Sequence, residues 1–349
     1  MVKKRERDIN MDLLRIFSCF CIIGLHVSGQ IENPLLWRSI QAFVRPALWV
    51  FMALSGYYIL SRPINKWREF WFKHITGLVI PFIIYVYLYH VYYDKTFLHY
   101  DIIGLLKGDP IGHLWYVYTL IVLYIISPFL QKMLNALNQK QIVCLLFIML
   151  FTSRSIDIYT ALGKEFGFPV ALITDCSLFF LILGYYLHEY PIKNKKIIFI
   201  LGILNIFLCI YALSNSILVN HICELSVVMT IGVIFYFTVF KCINGWNISS
   251  KLKKVIGFIS GRTYGIYLIH ILILQIINEK QIWLLEGKVG RQIWYFLIRC
   301  LAIFVVGGVC ATILDLTICK ALKNILFKVY DKSIQLVEER KSWLCKREL

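Results

Sequence analysis

Charged residues are scarce in this chain, and acidic ones are the scarcest. Asp and Glu number 20 and Lys and Arg number 37, so only 16% of the 349 residues are charged. Soluble domains carry about 25%. Hydrophobic residues make up 59%, and the mean hydropathy is +0.70. This composition excludes an ordinary soluble domain and indicates a protein for which lipid is part of the solvent.

Three other patterns are missing. The 11 cysteines include no CxxC pair and no metal-ligand spacing, and most fall inside apolar runs, which predicts small buried side chains and no metal. No small-residue cleavage site follows the first apolar run, so we expect this run to be retained as a helix. We find no internal repeat and no soluble extension that would fold as a second domain.

What the chain has instead is a series of long apolar runs, each of which predicts a membrane-spanning helix. About 20 apolar residues in a helix cross the hydrocarbon layer. The fifth run is short and would need flanking residues to span. We therefore predict an all-α polytopic membrane protein with about ten transmembrane helices. The runs cover residues 12–30, 42–60, 75–93, 113–130, 141–153, 171–188, 197–215, 222–240, 263–278 and 292–314.

The basic residues predict how these helices are oriented. Loops on the N-terminal side hold 25 lysines and arginines and the opposite loops hold 8, with four arginines in or at the edge of the runs left out. Both termini are therefore expected in the cytoplasm. The net charge of +17 then needs no nucleic-acid partner, because it orients the chain and meets anionic lipid. We expect a membrane domain over residues 1–319 and a basic, amphipathic cytoplasmic tail over residues 320–349.

The first run contains ionisable residues, which are costly in lipid and therefore mark candidate sites. Arg15 and His26 are 11 residues apart, so a helix places them on one face, about 16 Å apart along its axis. Asp12 precedes Arg15 by one turn and is expected to pair with it. A histidine can take and return a proton at neutral pH, which suits a general base. The alternative is a structural Asp12–Arg15 pair and a satisfied histidine near the outer interface.

Other polar residues in or beside the runs are also candidates for substrate or donor binding. Arg45 is either a buried cation near the outer entrance or a side chain that extends to the headgroups. Trp115 and Tyr264 are, by composition, typical of the interfacial aromatic belt. Paired Gly or Pro interruptions are not evident, so we expect no discontinuous helices of the transporter kind. The candidates are Asp12, Arg45, Ser55, Lys73, His74, Trp115, Arg262, Tyr264 and His270.

Five motifs follow one another along the chain with the order and spacing of a known family. The chain resembles the membrane acyltransferase type 3 superfamily over roughly residues 8–315; its members O-acylate polysaccharides, peptidoglycan, lipopolysaccharide and antibiotics. The motifs are Asp12, Leu13, Leu14, Arg15 and, after ten residues, His26; Arg45 ten residues before Ser55, Gly56 and Tyr57; Leu114, Trp115 and Tyr116 leading to Ser127 and Pro128; Leu183, Gly184 and Tyr185; and Thr263, Tyr264, Gly265, Ile266, Tyr267, Leu268, Ile269 and His270.

The resemblance implies that His26 is the catalytic histidine and that Arg15 is its partner. It implies acyl-CoA, in particular acetyl-CoA, as the donor, a glycan or other hydroxyl acceptor, and a multi-pass location in a bacterial cytoplasmic membrane, with membrane lipids around the chain. The family usually has two arginines before the third span. Here Lys73 and His74 keep positive charge, but Gly77 stands where an arginine is usual, and Trp49 replaces a usual proline.

Two other functions remain open on the sequence alone. One is a transporter or flippase for a polysaccharide or lipid-linked sugar, because polar residues in membrane helices also mark transport paths. The other is an inactive scaffold or sensor, which the departure at Gly77 allows. An assay that scores acyl transfer against translocation in sealed vesicles separates these functions.

The predicted orientation can be tested by cysteine accessibility. Cysteines introduced beside Arg68, Lys195 and Lys253 should resist a membrane-impermeant thiol reagent added from outside, and cysteines beside Lys95 and Lys280 should react. Labelling of the first group in intact cells would reverse the orientation.

Overall fold

The protein is described by a computed structural model that covers residues 7–94, 112–161, 176–214, 226–243 and 248–345. Every regular element in these ranges is helical, which confirms the all-α class. The α-helices are α1 (Ile9–Val27), α2 (Pro34–Val44), α3 (Ala47–Ile59), α4 (Trp67–Asp94), α5 (Trp115–Ala136), α6 (Gln139–Ala161), α7 (Cys176–Glu189), α8 (Lys195–Ala212), α9 (Val227–Cys242), α10 (Ser250–Ser260), α11 (Thr263–Glu279), α12 (Val289–Leu314) and α13 (Lys320–Cys345).

All ten predicted runs fall on helices, and the protein is a multi-span membrane protein. Six segments within the described ranges are long and apolar enough to cross a membrane, and α10 with α11 makes a seventh if the bent pair is one span. Three shorter apolar helices coincide with the other three predicted runs. The weak fifth run is extended by flanking residues, since α6 covers Gln139–Ala161. The number of crossings, ten, stays a prediction.

Helix α1 lies at the centre of the bundle. It packs against α2, α3, α9, α10, α11 and α12. Its N-terminus is capped by Asp8, whose carboxylate accepts a hydrogen bond of 3.2 Å from the backbone N–H of Met11. Met11, Leu14 and Val27 are fully buried. Because helices surround it, α1 can carry polar side chains without presenting them to lipid.

Helices α3 and α7 cross with their backbones in contact. A Cβ atom at Gly56 would lie 1.8 Å from the carbonyl oxygen of Leu181, and one at Gly184 would lie 1.8 Å from that of Ala53. Small residues allow membrane helices to approach this closely. Gly56 and Gly184 therefore allow the close packing of α3 against α7.

Two helix pairs are discontinuous, so the expectation of uninterrupted helices is wrong. Helix α2 ends at Val44 and α3 begins at Ala47, with Pro46 at the N-cap of α3, where proline cannot continue the backbone hydrogen bonds. Helices α10 and α11 meet at an angle of 54° across Gly261 and Arg262. The first break follows a single proline and the second a single glycine, which are weak sequence signals.

The C-terminal tail is a continuation of α12. A π-helical turn, Asp315–Cys319, joins α12 to α13. Helix α13 packs against α4, where the Tyr330 ring stacks on Phe72 at a centroid distance of 4.0 Å and Phe327 meets the same ring edge-on at 4.9 Å. The apolar face of this predicted helix is thus used in part for packing within the protein.

The α3–α7 crossing predicts a stability difference between two glycines. Gly184→Ala forces the two backbones apart and should destabilise the protein by about 1–3 kcal/mol. Gly77→Ala is the matched control, because nothing lies within 4 Å of the added Cβ, and it should be neutral or slightly stabilising. Thermal unfolding in detergent measures both. Equal melting temperatures for the two variants would contradict the close contact.

Candidate active site

Three histidines from distant parts of the chain meet beside the C-terminal end of α1. His26 comes from α1, His113 from the short 3₁₀ turn Gly112–Leu114, and His270 from α11. The ring centroids of His26 and His270 are 5.1 Å apart, those of His113 and His270 are 5.0 Å apart, and those of His26 and His113 are 6.3 Å apart. We call these three side chains the histidine cluster.

Two tyrosines hold the histidine cluster in place. The Tyr89 hydroxyl donates to the carbonyl oxygen of Leu268 at 3.1 Å, accepts from the backbone N–H of Leu272 at 3.1 Å, and lies 3.4 Å from Nε2 of His113. The Tyr267 hydroxyl donates to the carbonyl oxygen of His113. These bonds fix the 3₁₀ turn against α4 and α11, so the His113 ring has a defined place.

His26 and His270 differ in their surroundings. His270 is 1% exposed, and its Nδ1 lies against the carbonyl oxygen of Tyr267. His26 is half-buried and makes no hydrogen bond to any residue that the structure describes. A histidine with a reachable, uncommitted ring nitrogen can take a proton from a bound hydroxyl. The resemblance assigned the catalytic role to this residue, and its position is compatible with that role.

At the other end of α1, the N-terminal half of the helix lines a pocket of about 500 Å³. The pocket lies between α1, the end of α3 and the start of α4. In the predicted orientation this is the cytoplasmic end. Its walls are formed by Arg7, Asp8, Asp12, Arg15, Tyr57, Tyr58, Ile59, Ser61, Arg62, His74, Tyr124 and His188.

Asp12 pairs with Arg7, and not with Arg15 as the spacing had led us to expect. Arg7 donates to both carboxylate oxygens of Asp12, and the Ser260 hydroxyl donates to the same carboxylate at 2.6 Å. Arg7 also donates to the carbonyl oxygen of Gly257 at 2.8 Å. The hydrogen bond to Asp12 is the main cause of a raised pKa for Arg7. Asp12 thus joins α1 to α10, and its charge is already balanced.

Arg15 and Arg62 are two further cations of this pocket, and neither forms an ion pair with a residue in the described ranges. The pocket also contains the Asp8 carboxylate, which accepts a hydrogen bond from the Tyr57 hydroxyl at 3.1 Å. Their guanidinium carbons lie 5.0 Å and 5.7 Å from the ring centroid of Tyr58, so both cations approach one aromatic ring. Gln131 fixes the loop that carries Arg62, because its side chain accepts from the Ile64 N–H at 2.8 Å and donates to the carbonyl oxygens of Leu60 and Arg62.

Tyrosines fill the space between the pocket and the histidine cluster. Tyr124 lines the pocket, and Tyr116 interacts electrostatically with both Tyr124 and Arg15. The Tyr116 ring lies 5.3 Å from that of Tyr267, which in turn lies 5.5 Å from His270. Tyr116 and Tyr267 thus form a row of aromatic contacts that ends at His270, and we call this row the aromatic column.

Arg45 lies near the histidine cluster. Its Nε donates to the Gln41 side-chain oxygen at 2.9 Å. Gln41 donates to the carbonyl oxygen of Leu25 at 3.2 Å and to the Ser28 hydroxyl at 2.7 Å. Leu25 and Ser28 flank His26, so Gln41 connects Arg45 to the turn that carries this histidine.

The other predicted binding residues are spread over both ends. His74 lines the pocket, whereas Lys73 is exposed and is not among its walls. The Ser55 hydroxyl donates to the carbonyl oxygen of Phe51 at 3.2 Å, within its own helix. Trp115 is 44% exposed and approaches Trp49 at 6.3 Å.

Arg262 and Tyr264 are both engaged in contacts between helices. Arg262 pairs with Asp315 at 3.2 Å, next to the π-helical turn. The Tyr264 hydroxyl donates to the carbonyl oxygen of Leu78 at 2.9 Å, which holds α11 against α4.

Sequence reasoning missed two members of these sites. The basic segment from Arg62 to His74 is compatible with phosphate binding and His113 is an ionisable residue at the start of a run, but neither Arg62 nor His113 is among the predicted site residues. The short segment Gly112–Leu114 precedes a strongly apolar helix, and a histidine at such a position could have been weighed as a cavity residue.

The histidine cluster is not arranged as a metal centre. Among the residues that the structure describes, no group of three or more His, Cys, Asp or Glu side chains could hold a metal ion. The nine cysteines whose side chains the structure describes are free thiols.

Comparison with known proteins identifies one family. A family model described as an acyltransferase domain matches residues 8–315, which is nearly the whole chain. No curated protein and no solved structure matches the chain. The matched region contains the pocket, the aromatic column and the histidine cluster.

The pocket predicts a difference between two cations that are close in sequence. Arg62→Gln removes a positive charge that forms no ion pair with a described residue. It should weaken the binding of coenzyme A, used as a phosphate-bearing probe, by about tenfold or more, because the loss of one charge-assisted hydrogen bond changes the affinity by about this factor. Lys73→Gln is the control and should bind nearly as well as the unmodified protein. Isothermal titration in detergent measures both, and the loss should shrink at high salt. Equal affinities for the two variants would exclude this pocket as the phosphate site.

Proposed function

Because the chain belongs to the acyltransferase 3 family, we propose that it moves an acyl group, specifically acetyl, from acyl-CoA to a hydroxyl group of a cell-surface glycan or a related acceptor. The observation that carries this proposal is the arrangement along α1. One end of the helix places Arg15 in a basic pocket, and the other end places His26 in a cluster of titratable rings. The two sites supply anion binding and proton transfer on one helix.

The charge of the pocket supports a phosphate-bearing donor. Three arginines face two aspartates there, and Arg7 and Asp12 neutralise each other. The guanidinium groups of Arg15 and Arg62 are planar forks that suit phosphate oxygens. The volume of about 500 Å³ is within the usual range for ligand pockets. In the predicted orientation the pocket is reached from the cytoplasm, where acyl-CoA is found.

The separation of the two sites supports donor and acceptor approaching from opposite sides. Arg15 and His26 are about 16 Å apart along α1, by the rise of an α-helix. A donor with its phosphates at Arg15 would extend its thioester arm along the aromatic column towards His26. The acceptor hydroxyl would then enter at the His26 end.

The proposed chemistry uses His26 as a general base. The acceptor oxygen attacks the thioester carbon while its proton moves to a ring nitrogen of His26, and a C–O bond forms. The C–S bond then breaks, and the leaving thiolate takes the proton from His26. Arg45, connected through Gln41 to the turn around His26, is a cation that would stabilise the negative charge on the carbonyl oxygen.

The second candidate function is a transporter or flippase for a polysaccharide or lipid-linked sugar. The specific observation in its favour is the 54° bend between α10 and α11. Broken helices at a central site are typical of transporters. Purified protein in sealed vesicles with labelled acetyl-CoA and glycan separates the two functions, because acyl transfer would leave label on the glycan and transport would move glycan unmodified.

Substitution of His26 tests the base. His26→Ala should fold normally and lower kcat by about 10²- to 10⁴-fold, the contribution of a positioned proton acceptor. Arg15→Ala should also reduce turnover, but through donor placement. The kcat of the unmodified protein should rise with pH, because His26 must lose its proton to act as the base. This rise should be absent from the residual activity of His26→Ala and should persist in Arg15→Ala.

Near-normal turnover in a folded His26→Ala protein would contradict the proposed mechanism and favour transport. Expression level and thermal unfolding in detergent show whether the variant is folded.

A further inference from the structure

His270 has a buried nitrogen with no hydrogen-bond partner among the described residues, and the proposed function gives that nitrogen a role. Nδ1 of His270 lies 2.5 Å from the carbonyl oxygen of Tyr267. A carbonyl can only accept, so Nδ1 carries the proton, and Nε2 of the neutral ring is left as an acceptor. This Nε2 is buried and has no hydrogen-bond partner among the described residues. Buried polar atoms in folded proteins are rarely left in this state.

His113 cannot supply the missing donor. The single proton of the Tyr89 hydroxyl is donated to the carbonyl oxygen of Leu268. Tyr89 therefore acts as an acceptor towards Nε2 of His113, which lies 3.4 Å away, and this places the His113 proton on Nε2. The other nitrogen of a neutral His113 is then an acceptor as well.

His26 is the remaining donor. Its ring centroid lies 5.1 Å from that of His270, and it makes no hydrogen bond to a described residue. We propose that one N–H of His26 donates to Nε2 of His270, and that His270 is thereby the positioning residue of the base. The bond would close when substrate is bound, because catalytic hydrogen bonds are often long in the free enzyme.

The consequence for the reaction is a fixed tautomer of His26. One ring nitrogen of His26 carries the proton that it donates to His270. The other ring nitrogen of His26 therefore carries the lone pair that takes the proton of the acceptor hydroxyl. His26 becomes an imidazolium for one step and returns the proton to the thiolate, while His270 gains and loses none. This is the orienting role that a carboxylate has in Ser-His-Asp sites.

The surroundings favour a neutral acceptor in this role. The rings that contact His270 are those of His26 from α1, His113 from the 3₁₀ turn and Tyr267 from its own helix. None of these three groups is a carboxylate. A neutral ring can hold the N–H of His26 without the cost of burying a charge.

Three variants of His270 separate orientation from packing. In His270→Gln the side-chain amide reaches the position of Nε2 and restores an acceptor. His270→Asn keeps a donor to the Tyr267 carbonyl but has no atom at that position, and His270→Phe keeps the ring alone. We expect kcat to fall about 10²-fold in the Asn and Phe variants, with the KM for acetyl-CoA unchanged, and to recover at least in part in the Gln variant. His90→Gln, a histidine beside Tyr87, is the control and should retain normal turnover.

Equal losses in the Gln and Asn variants, or no loss in the Asn variant, would overturn the proposal while leaving the His26 mechanism standing.

A second measurement needs neither activity nor a variant. Nitrogen-15 NMR of histidine-labelled protein with a bound non-reactive donor analogue should show a protonated Nδ1 on His270 and a coupling across the hydrogen bond between its Nε2 and His26. A protonated Nε2 on His270, or the absence of that coupling, would also overturn it.

Discussion

The structure depends on one constraint, which is that titratable side chains inside a lipid-embedded bundle must face protein. Helix α1 meets it by lying among six other helices. Asp12 is balanced by Arg7 and Ser260, so the helix is joined to α10 at its N-terminal end. The same enclosure surrounds His26 with His113 and His270 at the other end. The glycine contact between α3 and α7 brings Tyr58 close enough to α1 to form the wall of the basic pocket.

The pairing of Asp12 decides what Arg15 can do. The one-turn spacing of Asp12 and Arg15 predicted an ion pair between them. An Arg15 neutralised in this way would have only a structural role. Since Arg7 and Ser260 occupy the carboxylate, Arg15 keeps its charge, and Arg62 approaches the same tyrosine ring. These two guanidinium groups, which form no ion pair with a described residue, are the basis of the proposed anion site.

Much of the fold could be predicted from sequence, because hydropathy and helical periodicity act within short stretches of chain. The apolar runs and the spacing that places Arg15 and His26 on one helix face are of this kind. The histidine cluster joins residues 26, 113 and 270, and the contact of Asp12 with Ser260 joins residues 248 positions apart. No local pattern encodes such pairs. The bend at Gly261 and Arg262 also depends on tertiary packing, since a single glycine rarely breaks a helix by itself.

Arg15 and His26 lie about 16 Å apart along α1, and the proposed mechanism requires one donor molecule to reach both of them. The most direct test is an experimental structure of the protein with a non-reactive acyl-CoA analogue. The account predicts phosphates between Arg15 and Arg62 and a thioester carbon beside His26, with the arm of the donor along Tyr116 and Tyr267. A donor bound at the pocket with its thioester directed away from the histidine cluster, or bound elsewhere on the protein, would contradict it.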